Sequence, residues 1–285
     1  MTVLVGLVVT FGMVFVVPLG LRLLDDDQRR LSHITQAWPL AGVVGASSLI
    51  MDRGGAAAVA AGVYGLVTLW LAILALMRLI RRRSLQPVEI AVLTAMVTPL
   101  IAGSSLVAAR AGYELFGFGM PILALTVAHF HFAGFAAALV AGLVASTVRS
   151  LMSEIVALTV PAGTAIVFIG YFTSDEVEML GAAVLTAGMW MLGWIVWRRV
   201  RPSSSNRLTR FLFATSAIVL AGTMVLALSW AAGHVWEDIP YLSLTWMAAT
   251  HGVVNAVGFA GCGLLAWHRL RRELSAAARP APAPN

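Results

Sequence analysis

Long apolar stretches alternate with short polar breaks along this chain, and the pattern yields nine apolar segments. They run roughly over 3–24, 36–51, 55–80, 87–109, 121–147, 154–173, 178–198, 210–231 and 243–267. A helix of about 20 apolar residues crosses the ~30 Å hydrocarbon core of a bilayer. The second segment is the shortest. The expected fold is therefore an all-α polytopic membrane protein of about nine transmembrane helices.

Two segments break their own apolar pattern in matching ways. The fifth carries Thr126-Val127-Ala128-His129-Phe130-His131-Phe132-Ala133-Gly134-Phe135, and the ninth carries Thr250-His251-Gly252-Val253-Val254-Asn255-Ala256-Val257-Gly258-Phe259. Sliding one onto the other pairs Thr126 with Thr250, His131 with Asn255, Gly134 with Gly258 and Phe135 with Phe259. Segments two to five and six to nine also share a sequence of directions, prolines in their first members (Pro39, Pro161) and arginine clusters ending their second. The pattern predicts one extra helix followed by a duplicated four-helix unit, a 1+4+4 organisation. Residues 1–35 would hold the first helix and a cytoplasmic loop, 36–150 the first repeat, 151–268 the second, and 269–285 a disordered cytoplasmic tail. Sites in such parallel repeats commonly lie between the halves.

Composition agrees with a membrane setting: 60% hydrophobic residues, 11% charged and a mean hydropathy of +0.89. A net charge of +6 would suggest nucleic acid in a soluble protein. Here all 19 basic residues are arginine. With the N-terminus outside, all but Arg53 and Arg110 fall on inner loops and the tail, a positive-inside bias that also requires an odd number of spans. The reading is a multi-pass protein of the bacterial cytoplasmic (inner) membrane with a cytoplasmic C-terminus and no nucleic-acid partner. The first apolar run lacks a basic leader and reads as a retained span. The single cysteine, Cys262, supports neither a disulfide nor a thiolate metal site, and no metal or other cofactor is expected.

Ionisable groups inside a span are costly unless they serve a site. His129 and His251 lie at nearly the same depth, on the order of 12 Å below the outer ends of parallel helices. His251 and Asn255, four apart, share a face, whereas His129 and His131, two apart, point to nearly opposite sides. Symmetry favours His131 as the partner of Asn255, and depth favours His129 opposite His251. Histidine titrates near neutrality and can relay a proton. Glu114 and Asp238, at symmetry-related outer loops, are the candidate carboxylates. Thr126 and Thr250 are candidate substrate contacts that can equally bond back to their own helices. Trp190 and Trp194, one turn apart, could line a cavity. Glu89 reads as an interfacial charge. Trp38, Trp197 and Trp267 on the inner side, with Trp230, Trp236 and Trp246 on the outer side, suit interfacial belts.

The His-Phe-His-Phe-Ala-Gly-Phe run and the later His-Gly-Val-Val-Asn-Ala-Val-Gly-Phe resemble the YndJ-like family of bacterial membrane proteins. That resemblance implies a multi-helix inner-membrane protein in which His129, His131, His251 and Asn255 are the positions to examine. The family has no securely assigned reaction, although members are sometimes labelled transporters. Val127-Ala128-His129-Phe130-His131-Phe132 also resembles the heme-binding helix of heme-copper oxidase subunit I. The chain lacks the three-histidine copper site of that family, and the likeness reads as convergence.

Three function classes follow. The leading expectation is a membrane-embedded enzyme, such as a cyclase, an isomerase or a hydrolase, using the histidines for acid–base chemistry on a lipophilic small molecule. The alternatives are a proton-coupled or small-molecule transporter and a b-type heme protein. Neither 136–145 nor 260–267 holds an amide side chain, and no carboxylate or lysine interrupts them. A polar path to the inner side is thus not visible, which favours chemistry over transport. The expected partners are the bilayer and the lipophilic substrate, with self-association left open.

Overall fold

A computed structural model describes residues 3–24 and 28–277. Regular structure among them is entirely helical. The long helices are α1 (Val3–Leu21), α2 (Gln28–Ser47), α3 (Gly55–Arg82), α4 (Pro87–Ala111), α5 (Met120–Val148), α6 (Leu151–Thr173), α7 (Asp175–Ser203), α8 (Arg207–Val235) and α9 (Leu244–Ala277). The chain is thus an all-α polytopic membrane protein.

All of these except α2 are long and apolar enough to cross a membrane. At ~1.5 Å per residue α2 has the length. It lacks the apolarity, because Ser32, His33, Thr35 and Gln36 interrupt its first half. The arginine distribution predicts that α2 crosses nonetheless. Reporter fusions should then place the two termini on opposite sides, the C-terminus in the cytoplasm. A same-side result would reduce the count to eight.

α5 is the hub. Its most apolar window is 83% buried, against 33% for α3 and for α8, which face outwards. It packs on α1, α4, α6 and α9, while α3 sits between α2 and α4, and α7 between α6 and α8. Gly134 lets α5 lie close on α4, since a Cβ there would come within 2.7 Å of the Thr98 Cβ. Gly258 does the same for α9 on α8, where a Cβ would meet Val219 at 2.6 Å.

Three helices leave the α-helical register where they converge. Gly12–Val16 of α1, Phe130–Ala136 of α5 and Asn255–Gly261 of α9 are π-helical and touch one another. Such bulges recur at functional sites. The cause in α1 can be traced. Val17 N–H bonds the Gly12 carbonyl five residues back, and the next bond in that register would need an N–H from Pro18, which has none. The Met13 carbonyl is left for Trp38, whose Nε1 donates to it at 3.0 Å. Trp38 is therefore fully buried and not part of an interfacial belt, and Trp267 is likewise buried against Phe213.

Two further positions differ from a simple solvated surface. Glu89, read from the sequence as an interfacial charge, is held in an ion pair. It is buried and accepts from Arg78 Nε and Nη2 (2.8 and 2.9 Å) and from Arg82 Nη1 (2.6 Å). The tail expected to be disordered from 269 is helical as far as Ala277. Glu273 anchors it by accepting from the hydroxyls of Ser204 (2.6 Å) and Thr209 (2.7 Å). Residues 278–285 lie outside the described residues.

Candidate functional site: a histidine-lined cavity

A cavity of about 250 Å³ opens near the N-terminal ends of α5, α7 and α9. Its walls are mostly apolar, as in Phe132, Leu185, Met189, Met224 and Met247, and Phe259 lies on the side away from the helix starts. The polar groups on it are His129, His251, Asn255, Glu178, Tyr171 and Trp230. An apolar pocket with a few convergent polar groups is the default form of a small-molecule site.

Hydrogen-bond accounting shows which ring nitrogen of His251 donates. Its Nδ1 lies 2.8 Å from the Thr223 carbonyl, which can only accept, so Nδ1 carries the proton. The Thr223 hydroxyl lies 2.8 Å from the Val219 carbonyl and 2.9 Å from the Asn255 amide. It has one proton, and the carbonyl must receive it. The Asn255 group facing it is then the amide NH₂, because amide orientation follows from the network. The amide oxygen is left facing His251 Nδ1, the amide atom assigned there lying at 3.3 Å. One chain of donors results: Asn255 to Thr223, and His251 Nδ1 to both the Thr223 carbonyl and the Asn255 oxygen. In the neutral ring, His251 Nε2 is then the unprotonated nitrogen.

The His129–His131 pair divides its labour, as two residues two apart on a helix must. His129 lines the cavity, and its buried Nε2 has no hydrogen-bond partner. His131 points away from the cavity and is fully buried. A single hydrogen bond of 2.5 Å joins its Nε2 to the Tyr64 hydroxyl, and Trp38 meets Tyr64 edge-on. Gly12 leaves room for the ring, since a Cβ there would sit 3.0 Å from His131 Cγ. Of the two, His129, the one read as level with His251, lines the cavity with it, whereas His131, the counterpart of Asn255 in the motif alignment, does not. With its Nε2 occupied, His131 is also unlike one of two free axial imidazoles. Tyr64→Phe should cost roughly 1–3 kcal/mol, the penalty of a buried acceptor left unmade. The Tyr64→Phe/His131→Leu double variant should recover part of that loss, and melting curves in detergent read both.

The other candidates fall elsewhere. Glu114 and Asp238 are exposed and do not line the cavity. Thr126 and Thr250 donate to Ile122 (2.9 Å) and Trp246 (2.7 Å) of their own helices. Trp190 and Trp194 are exposed on the outer face of the bundle, Trp194 beneath Arg198. The carboxylate that does line the cavity is Glu178, three residues into α7. Its signal was the acidic cluster Asp175, Glu176 and Glu178. Trp230, expected in the outer belt, faces the cavity with Tyr171. Among the described residues no group of three or more histidine, cysteine or acidic side chains is placed to hold a metal.

Comparison with known proteins gives two matches. A family model described as YndJ-like protein matches residues 7–259. The uncharacterized membrane protein YndJ of Bacillus subtilis (strain 168) is 22% identical over 236 residues, which cover 82% of this chain. Those residues span 42% of that relative's length. No solved structure matches.

Proposed function

The chain is a membrane protein of the YndJ-like family, and we propose that it is a membrane-embedded enzyme performing acid–base chemistry on a lipophilic small molecule. The carrying observation is His251, locked by the Thr223 carbonyl with its basic nitrogen free and set on an apolar cavity. A neutral imidazole of fixed tautomer is what a general base requires, and geometry comes before pKa in choosing one. Nε2 of His251 would take a proton from a substrate O–H or activated C–H. The resulting imidazolium keeps its Nδ1 proton on the Thr223 carbonyl and the Asn255 oxygen. That imidazolium would then return the same proton to a second substrate position, with the His129 ring orienting the substrate from the same cavity, so that an isomerisation or cyclisation ends with the protein unchanged.

The test begins with occupancy. Native mass spectrometry of the protein from its own membranes should show a bound lipophilic molecule. Ala227→Trp, which fills the cavity from α8, should remove it. Incubating the wild type with membrane extract should then convert that molecule to an isomer. Equal occupancy in both proteins would eliminate the cavity as the site. Uptake into vesicles with no chemical change would identify a transporter instead.

A further inference from the structure

From the groups at the cavity mouth we infer that the ligand is a lipophilic cation, an ammonium head on an apolar body, held by Glu178. The inference rests on the cavity reading and adds the ligand's charge. Glu178 is the one carboxylate lining the cavity, is half-buried, and makes no ion pair among the described residues. No lysine or arginine lines the cavity either. A carboxylate facing an apolar, low-dielectric space favours a positive guest and disfavours an anionic one. The titratable neighbours do not reverse this. Asp175 adds negative charge, His234 is exposed with its Nδ1 on the Trp230 carbonyl, and Tyr171 is a neutral phenol.

The walls beside Glu178 have the matching chemistry. Tyr171 and Trp230 both line the cavity, and aromatic faces attract ammonium groups, tryptophan most strongly. Trp230 is held in place: Tyr241 packs edge-on against it at 5.3 Å and lies on Gly233, where any Cβ would overlap the ring. Depth along the helices then orders the ligand. Glu178 is three residues into α7, His251 seven into α9 and His129 nine into α5, so the imidazoles lie roughly 6–9 Å deeper than the carboxylate. The ammonium sits at the mouth, and the bond that reacts lies about that far along the body.

Three eight-carbon probes of equal length test this: octylamine, octanol and octanoate, titrated at pH 7 in neutral detergent while unfolding is followed by tryptophan fluorescence. Octylamine should stabilise the wild type at ~10-fold lower concentration than octanol, and octanoate should be weakest. Glu178→Gln should bring octylamine down to the level of octanol. Glu178→Asp, which keeps the charge, should retain the order, and serves if the glutamine variant folds poorly. Octylamine no better than octanol, or an advantage that survives loss of the carboxylate, overturns the inference. Ala227→Trp separates the two readings. If octanol protects the wild type but not this variant, the cavity takes lipophiles whatever their charge. If no probe distinguishes the two proteins, the cavity reading fails as well.

Discussion

Glu89→Ala is expected to destabilise the bundle by about 3 kcal/mol, the lower end of the cost of breaking a buried ion pair by removing one member. The Arg78 side chain is 4% exposed and the Glu89 side chain 11%, and two N–H donors of the guanidinium converge on the carboxylate. Arginine cannot shed its charge in response, as a lysine could. The pair also fastens α3 to α4 across their connection, so its loss loosens two helices at once. Arg82 touches the same carboxylate from a position where 45% of its side chain is exposed. Its replacement by alanine should therefore cost ~1 kcal/mol or less. Glu89→Gln should fall between the two, because it keeps acceptor and shape but loses the charge. Unfolding in mixed detergent ranks the three variants. A Glu89→Ala variant as stable as the wild type would show that the carboxylate is not what holds α3 to α4.

Much of this architecture was legible because membrane helices obey a one-dimensional rule: apolar length makes the span, and arginines mark its inner end. The rule is weakest where a helix is short of apolar residues, which is why composition alone does not carry α2 across the membrane. It is also silent about rotation. Whether His129 or His131 faces His251 depends on the azimuth of α5. That azimuth is set by contacts no local pattern records: Gly12 admitting the His131 ring, and Tyr64 reaching it from α3. The π turns change the azimuth again, by adding a residue to a turn. Glu178 was visible as a charge but not as a lining group, since an acidic residue in the first turn of a helix is also what the helix dipole favours. The two motif helices share two local features. The π segments of α5 and α9, Phe130–Ala136 and Asn255–Gly261, match within one residue of the register that aligns the two motifs. In both helices, too, the motif glycine docks on the helix immediately before it, Gly134 on Thr98 and Gly258 on Val219.

His251→Gln should lower the rate of conversion of the cavity's substrate by roughly 10²–10⁴-fold, the range that a positioned general base contributes. Glutamine fits the space and can still donate to the Thr223 carbonyl, but it has no basic nitrogen, so folding and occupancy should survive while turnover does not. Asn255→Leu removes the amide that shares the Nδ1 proton and leaves the Thr223 carbonyl bond in place. Its effect should be smaller, and it should shift the pH at which activity appears, because the imidazolium loses one of its two acceptors. Thr223→Val keeps the backbone carbonyl and should resemble Asn255→Leu, since the amide then loses its anchor. His131→Leu should mainly lower the melting temperature, because that ring holds α5 and does not touch the cavity. The decisive comparison is between His251→Gln and His131→Leu, each measured for bound ligand, melting temperature and turnover. Equal turnover in His251→Gln and wild type, with the ligand still bound, would leave the imidazole as a structural hydrogen-bond donor to α8 and end the acid–base reading.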